Sequence, residues 1–281
     1  MTQALPAPAR PVRRLSWRRG PGGIFAAEES ERVVPEETAI AFDYDGMTYA
    51  VMMATPGDLE DFAVGFSLTE GVVASAREIE ELRVIRAEDG IVLRMTLATD
   101  RRDALWERRR HIAGPSGCGL CGIESLPQAL RDVPPVASEL RVTAGAVAGA
   151  MAALGPLQVL NRATRAVHAA AFWQPADGSL LVREDVGRHN ALDKLVGAIA
   201  RAGLAAAGGA VLLTSRVSVE MVQKTAIAGA PVLVAVSAPT ALALRLAERA
   251  RITLAGIARD DGFEIFTHPE RINLEAQENV A

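Results

Sequence analysis

The sequence has only two cysteines among its 281 residues, Cys118 and Cys121. It has four histidines, His111, His168, His189 and His268, so a four-ligand zinc site would have to draw on distant histidines or a second subunit. No apolar run reaches the roughly 18 residues that a membrane-spanning helix needs, so no membrane partner is expected. The arginines near the N-terminus are not followed by an apolar stretch, so no secretory signal is read and a cytoplasmic location is expected. A net charge of −4 gives no basis for nucleic-acid binding. Neither G-x-G-x-x-G nor G-x-x-x-x-G-K-[S/T] occurs, so the two standard nucleotide fingerprints do not apply. No internal repeat is visible.

What is present is an ordinary globular composition, 49% hydrophobic and 23% charged, enough for a substantial core. Against it stands the stretch Gly114-Pro115-Ser116-Gly117-Cys118-Gly119-Leu120-Cys121-Gly122. Four glycines and one proline in nine residues disfavour helix and strand and predict an exposed loop. Two thiols two residues apart on such a loop can bind a metal, form a redox disulfide or carry a sulfur atom as a persulfide. In a reducing compartment the pair reads as catalytic or metal-binding rather than as a structural disulfide. The preceding residues give no βαβ pattern for a thioredoxin-like dithiol. Five arginines between 101 and 110 precede the loop, and any brought near would favour the thiolate.

The chain divides by pattern. Residues 1–22, rich in Pro, Ala and Arg, are expected to be a disordered tail. Residues 23–136 read as a small α+β domain ending in the cysteine loop. Hairpins are predicted around Asp45-Gly46 and Asp89-Gly90. Between them a helix is predicted, capped by Thr55 with Pro56 in its first turn and running through Phe62 and Phe66. Residues 137–272 alternate short apolar strands with helices, which predicts an α/β layer on a mostly parallel sheet; 273–281 are a tail. In this half an Ala-rich helix is expected over 143–154, a hairpin at Asp177-Gly178, and a helix from Asn190, with Asn190 as its cap.

Polar groups crowd the strand ends of this second half. Arg183-Glu184-Asp185-Val186-Gly187-Arg188-His189-Asn190 is followed by Asp193-Lys194. Thr214-Ser215-Arg216-Val217-Ser218 and Ser237-Ala238-Pro239-Thr240 each lead from a strand into a helix, and Arg259-Asp260-Asp261-Gly262 follows another strand. Ligands of open α/β sheets bind beyond the carboxyl ends of strands, where helix amides favour anions. The repetition points to a pocket for a phosphate-bearing ligand such as a nucleotide. His168 stands where half of a zinc deaminase signature would place a ligand, but its general-acid glutamate would fall at Ala170, so that chemistry is not supported.

Taken in order, the motifs are Thr55-Pro56-x-Asp58-Leu59-Glu60-Asp61-Phe62-Ala63-x-Gly65-Phe66, Glu70-Gly71, Cys118-Gly119-x-Cys121-Gly122, the run from Arg183 to Lys194, Ser218-x-Glu220-Met221-Val222-Gln223-Lys224, and Ser237-Ala238-Pro239-Thr240. This set resembles the FdhD family of sulfur carriers needed for formate dehydrogenase activity, over about residues 25 to 272. The resemblance implies a cytidine-deaminase-like three-layer C-terminal domain and a homodimer. It implies sulfur transfer from a cysteine desulfurase, as a persulfide, to the bis-molybdopterin guanine dinucleotide form of the molybdenum cofactor, before insertion into formate dehydrogenase. The cofactor is then a bound substrate, with no resident metal. By position the resemblance assigns the persulfide to Cys118 with Cys121 as its partner, and a cofactor-contacting segment to Ile257, Ala258, Arg259, Asp260, Asp261 and Gly262. Arg188, His189, Arg216 and Ser237 join these as candidate cofactor-binding residues. The competing reading is a cofactor-binding chaperone whose C-x-x-C is a zinc or redox clip.

Overall fold

The computed structural model describes residues 4–19, 25–99, 101 and 133–274. It begins with a long antiparallel pair, β1 (Ala9–Arg19) and β2 (Phe25–Pro35). Residues 9–19 are therefore a strand, not part of a disordered tail. Their partner strand is acidic: Arg13 faces Glu31 and Leu15 faces Glu29, and cross-strand pairs of opposite charge or apolar stems stabilise such ladders. Trp17 stacks on Phe25 with ring centroids 5.7 Å apart. The pairing is invisible when the basic segment is read alone.

Next come β3 (Thr38–Tyr44), β4 (Met47–Ala54), α1 (Leu59–Thr69), β5 (Ile79–Ala87) and β6 (Gly90–Leu97). The four strands form one sheet in the order β4-β3-β6-β5. Asp45 and Gly46 both have positive φ, 52° and 85°, the requirement of the tight hairpin turn their sequence predicts. Helix α1 lies on this sheet through Phe62 and Phe66, whose rings sit 5.0 and 3.9 Å from that of Phe42. Thr55 is not its cap. Asp58 takes that position with φ 51° and makes no side-chain cap bond, because the Thr55 hydroxyl is engaged elsewhere, as described below.

After β7 (Val142–Thr143), helices α2 (Ala144–Leu157) and α3 (Val159–Thr164) lead to β8 (His168–Trp173) and β9 (Leu180–Asp185). Then follow α4 (Arg188–Arg201), β10 (Ala210–Leu213), α5 (Val219–Ala228), β11 (Val232–Ala235), α6 (Ala241–Arg249), β12 (Thr253–Arg259) and β13 (Gly262–Ile265). A short 3-10 turn, Pro269–Arg271, precedes β14 (Ile272–Asn273), which pairs with β7. The second sheet runs β13-β12-β11-β10-β8-β9. It is mixed rather than mostly parallel: β10, β11 and β12 are parallel, and the remaining pairings are antiparallel. Tight turns at Asp177-Gly178 and Asp260-Asp261 leave no length for a crossover, so they force antiparallel neighbours.

The alternation of side chains splits the sheet into two apolar faces. Phe172, Leu213, Leu233 and Leu254 pack under α4, α5 and α6. Trp173, Leu212, Val234 and Ala255 pack under α2, through Val147, Ala150 and Leu154. The two sheets are joined where α1 crosses α4. There Gly65 and Gly197 meet backbone to backbone, with no room for a Cβ on either. Among the described residues no helix is long and apolar enough to cross a membrane.

Candidate functional site

The carboxyl ends of β10, β11 and β12 share one edge of the second sheet with the amino end of β8 and the carboxyl end of β9. Backbone hydrogen bonds run along this edge. Thr214 N donates to Ala169 O (3.1 Å), Val217 N to Ala238 O (3.3 Å), and Ile257 N to Ser237 O (3.3 Å). The Thr214 hydroxyl also accepts from Ala169 N at 2.8 Å. His168, Thr214, Arg216, Ser237 and Ile257, widely spaced in sequence, thus lie in one row.

The run from Arg183 to Lys194 divides between two roles. Most of it is a buried lock. Asp185 is fully buried and ion-paired to equally buried Lys194 at 2.7 Å. Its carboxylate also accepts from Thr55 N (2.9 Å), Gly187 N (2.8 Å) and Asn190 Nδ2 (3.0 Å). Lys194 donates to Thr55 O at 2.8 Å, and the Thr55 hydroxyl accepts from Val186 N at 3.2 Å. Asn190 is therefore not the cap of α4; Gly187 is. Asn190 Nδ2 instead reaches Met53 O at 2.9 Å. Asp193 is buried and held by Lys224 at 2.6 Å and by the Thr69 hydroxyl at 2.5 Å. Arg183 pairs with Asp61 at 2.6 Å, and Glu184 accepts from the amides of Leu160 and Asn161. These groups satisfy one another, as buried charges must, and they tie β4 and α1 to the second sheet.

Arg188 and His189 remain. They open α4, half-buried at the edge. Four side-chain atoms here are buried without a hydrogen-bond partner among the described residues: Arg188 Nε, His189 Nε2, Ser218 Oγ and Glu220 Oε2. His189 Nε2 lies 4.0 Å from Glu220 Oε2. The imidazole beside it pulls the Glu220 carboxyl down to about 2. Ser218 is the N-cap residue of α5 but makes no cap bond, and its hydroxyl lies beside the Glu220 carboxyl and helps to lower its pKa. Burial, reinforced by Arg188, lowers the His168 pKa. Orphaned polar atoms are rare in folded proteins, and a bound ion or ligand is one of the things that supplies their missing partners. Two helix N-termini, α4 and α5, start at this edge, which favours an anion.

The segment Ile257 to Gly262 leaves the same edge. Ile257 has φ 54° at a break in the register between Gly256 and Arg259. A β-branched residue in the left-handed region costs roughly 1–3 kcal/mol, strain of a kind that clusters at binding sites. Ala258 turns inward and is buried, whereas Arg259, Asp260, Asp261 and Gly262 are exposed. Arg216 is exposed and Ser237 half-buried on the neighbouring junctions.

Sequence reasoning counted Arg183, Asp193 and Lys194 among the polar groups crowding this strand end; the structure makes them internal struts. It included Ser218 in a polar strand-end cluster but passed over Glu220 except as part of a motif, although a Ser-x-Glu pair entering a helix opposite a histidine was a usable signal. Cys118 and Cys121, with most of the arginines before them, lie outside the described residues. Arg101 is described and is ion-paired to Glu78 at 2.9 Å, so it is not a free cation for the thiols.

The architecture defines a class: an α/β protein with an anion-suited cradle at the strand ends of a mixed sheet, braced by a smaller sheet. The comparisons make this specific. A profile of the FdhD/NarQ family matches residues 35–273, and the chain belongs to that family. It is similar to the sulfur carrier protein FdhD of Agrobacterium fabrum, 54% identical over 266 residues, 94% of this chain and 96% of that one. It is 56% identical over 265 residues to the protein of the same name from Brucella abortus biovar 1, covering 94% and 97% of the two chains. Among solved structures it resembles a candidate formate dehydrogenase accessory protein from Desulfotalea psychrophila, with a TM-score of 0.71 and 27% identity over 93% of this chain and 99% of that one.

Proposed function

We propose that this protein is a sulfur carrier in formate dehydrogenase maturation. The observation that carries this reading is its 54% identity, over 94% of its length, to a protein named sulfur carrier protein FdhD. The edge cradle supports the acceptor half of the reaction. Cys118 attacks the outer sulfur of a cysteine desulfurase persulfide as a thiolate; the desulfurase cysteine leaves as a thiolate and Cys118 becomes the persulfide. Cys121 then attacks the inner sulfur of that persulfide. This releases the outer sulfur at the hydrosulfide level to the acceptor and leaves a Cys118–Cys121 disulfide, which a cellular dithiol reduces with two electrons. The acceptor is the bis-molybdopterin guanine dinucleotide molybdenum cofactor, here substrate rather than resident group. Arg188, His189, Ser218 and Arg216 bind its phosphates at the N-termini of α4 and α5, and the Ile257–Gly262 segment and Ser237 border its guanine dinucleotide arms. Formate dehydrogenase receives the product, and the carrier acts as a homodimer in the cytoplasm.

The test is intact mass after incubation with a cysteine desulfurase and free cysteine, followed by peptide mapping. An added mass of about 32 Da, one sulfur atom, on the peptide holding Cys118, absent in Cys118→Ala, is expected. No adduct with an active desulfurase, together with stoichiometric zinc lost in Cys118→Ala, would replace the carrier with a cofactor-binding chaperone clipped by metal.

A further inference from the structure

The opposite edge of the second sheet holds a second site. At the amino end of β12, a cavity of about 410 Å³ is lined by Arg141, Arg251, Arg271, His268, Glu139 and Glu270, among others. That volume suits a small organic ligand. Thr253 opens β12 here, and roughly 13 Å of strand separates it from Ile257 at the other edge, so the two sites are distinct.

Three segments bring the arginines together. The pairing of Ile272 with Val142 sets Arg271 beside Arg141. Val136 N donates to Ala250 O at 2.8 Å, which draws the 136–141 segment against the turn that carries Arg251. The Thr253 hydroxyl donates to His268 O at 2.7 Å and fixes the far wall.

The electrostatics of this pocket are incomplete. Arg271 is 6% exposed, and its Nε is buried with no acceptor among the described residues. Its Nη1 has only a long contact to the Thr253 hydroxyl, 3.4 Å, and Glu270 at 4.0 Å. Burial, with Arg141 and Arg251 nearby, disfavours its charged form. Of the two lining carboxylates, Glu270 is exposed and already engaged with His268 Nδ1 at 3.3 Å, and Glu139 is exposed. Two solvent-facing carboxylates do not satisfy three guanidinium groups, one of them buried with a donor aimed at nothing. Guanidinium groups in this arrangement match the flat, multidentate acceptors of an oxyanion.

We propose that this pocket binds the oxyanion group, phosphate or carboxylate, of a small molecule, with Arg271 as the buried anchor and Arg141 and Arg251 closing over it. Such a ligand would sit beneath the same strands that end in the edge cradle, and its binding does not require the carrier reading to hold.

The experiment is calorimetric titration of the full chain at low ionic strength with inorganic phosphate and, separately, with succinate. Saturable binding of either is expected. Phosphate alone would assign a phosphorylated ligand, and succinate alone a carboxylate. Arg251→Ala, at an exposed position, should weaken binding about tenfold or more, as loss of a hydrogen bond to a charged group predicts. Arg271→Gln should abolish it. If Arg271→Gln fails to fold by circular dichroism, the exposed double variant Arg141→Ala/Arg251→Ala decides the matter. Wild-type protein that binds neither anion would overturn the proposal. So would binding that survives the double variant, which would belong to the other edge of the sheet.

Discussion

Gly65 and Gly197 face each other across the crossing of α1 and α4. An ideal Cβ on Gly65 would lie 2.7 Å from Gly197 N, and one on Gly197 would lie 2.7 Å from Gly65 N. The obstacle on each side is main chain, which cannot rotate away. Gly65→Ala and Gly197→Ala are each expected to destabilise the protein by about 3 kcal/mol, the upper end of the usual cost of overpacking. Urea denaturation measures it. A loss below about 0.5 kcal/mol, typical of a surface change, would mean that the helices can separate.

The Asp185–Lys194 pair makes a second prediction. Lys194→Met removes the cation but leaves Asp185 its three N–H donors. Breaking a buried pair in this way costs roughly 3–5 kcal/mol. The double variant Asp185→Asn/Lys194→Met should lose less than the sum of the two single variants. Strict additivity in denaturation curves would contradict the pairing.

Glu220 predicts an acid-sensitive term. Its carboxyl is held at about 2 beside His189, against an ordinary value of 4.5. The folded pKa is depressed, so its contribution is fully present above about pH 4.5 and disappears as pH falls toward 2. The magnitude is at most about 3 kcal/mol, less the screening its partial exposure allows. Side-chain carbon-13 NMR should show Glu220 titrating near pH 2 in the wild type and moving toward 4.5 in His189→Ala. An unchanged titration in the variant would remove His189 as the cause.

Arg188 tests the cradle. Its Nε has no hydrogen-bond partner among the described residues, so Arg188→Ala should leave the fold intact by circular dichroism. It should weaken binding of guanosine diphosphate, a probe for the guanine dinucleotide arms, about tenfold or more. Equal affinity in both proteins would take Arg188 out of the proposed site.

The elements were largely legible because their signals are local. Asp45-Gly46, Asp89-Gly90 and Asp177-Gly178 each mark an observed hairpin, and the apolar strands 210–213 and 232–235 stand where short hydrophobic runs place them. Two things could not be read locally. The strand at 9–19 depends on an acidic partner across a turn. The function of the Arg183–Lys194 charges depends on Thr55, Asp61 and Thr69, more than 110 positions away. Read along the chain, a run of charges near a helix start looks like a ligand cradle; only the fold reveals that Thr55, Asp61 and Thr69 lie opposite most of it. The four polar junctions do lie along one edge of the sheet, because strand-end polarity repeats at each of them, yet the buried, unpaired side-chain atoms at Ser218 and Glu220 emerge only from their surroundings.

The lock around Asp185 also bears on modularity. Lys194 is fully buried with its ammonium paired to Asp185 and donating to the carbonyl oxygen of Thr55, which directly follows β4 of the first sheet, and α4 closes only over the bare backbone of α1. A fragment beginning at residue 137 would retain Asp185, Asp193, Lys194 and Lys224 while losing the main-chain atoms and the Thr69 hydroxyl that complete their shells. The two sheets are thus a single thermodynamic unit: neither can be transplanted, swapped or expressed alone without leaving charges stranded in an apolar interior.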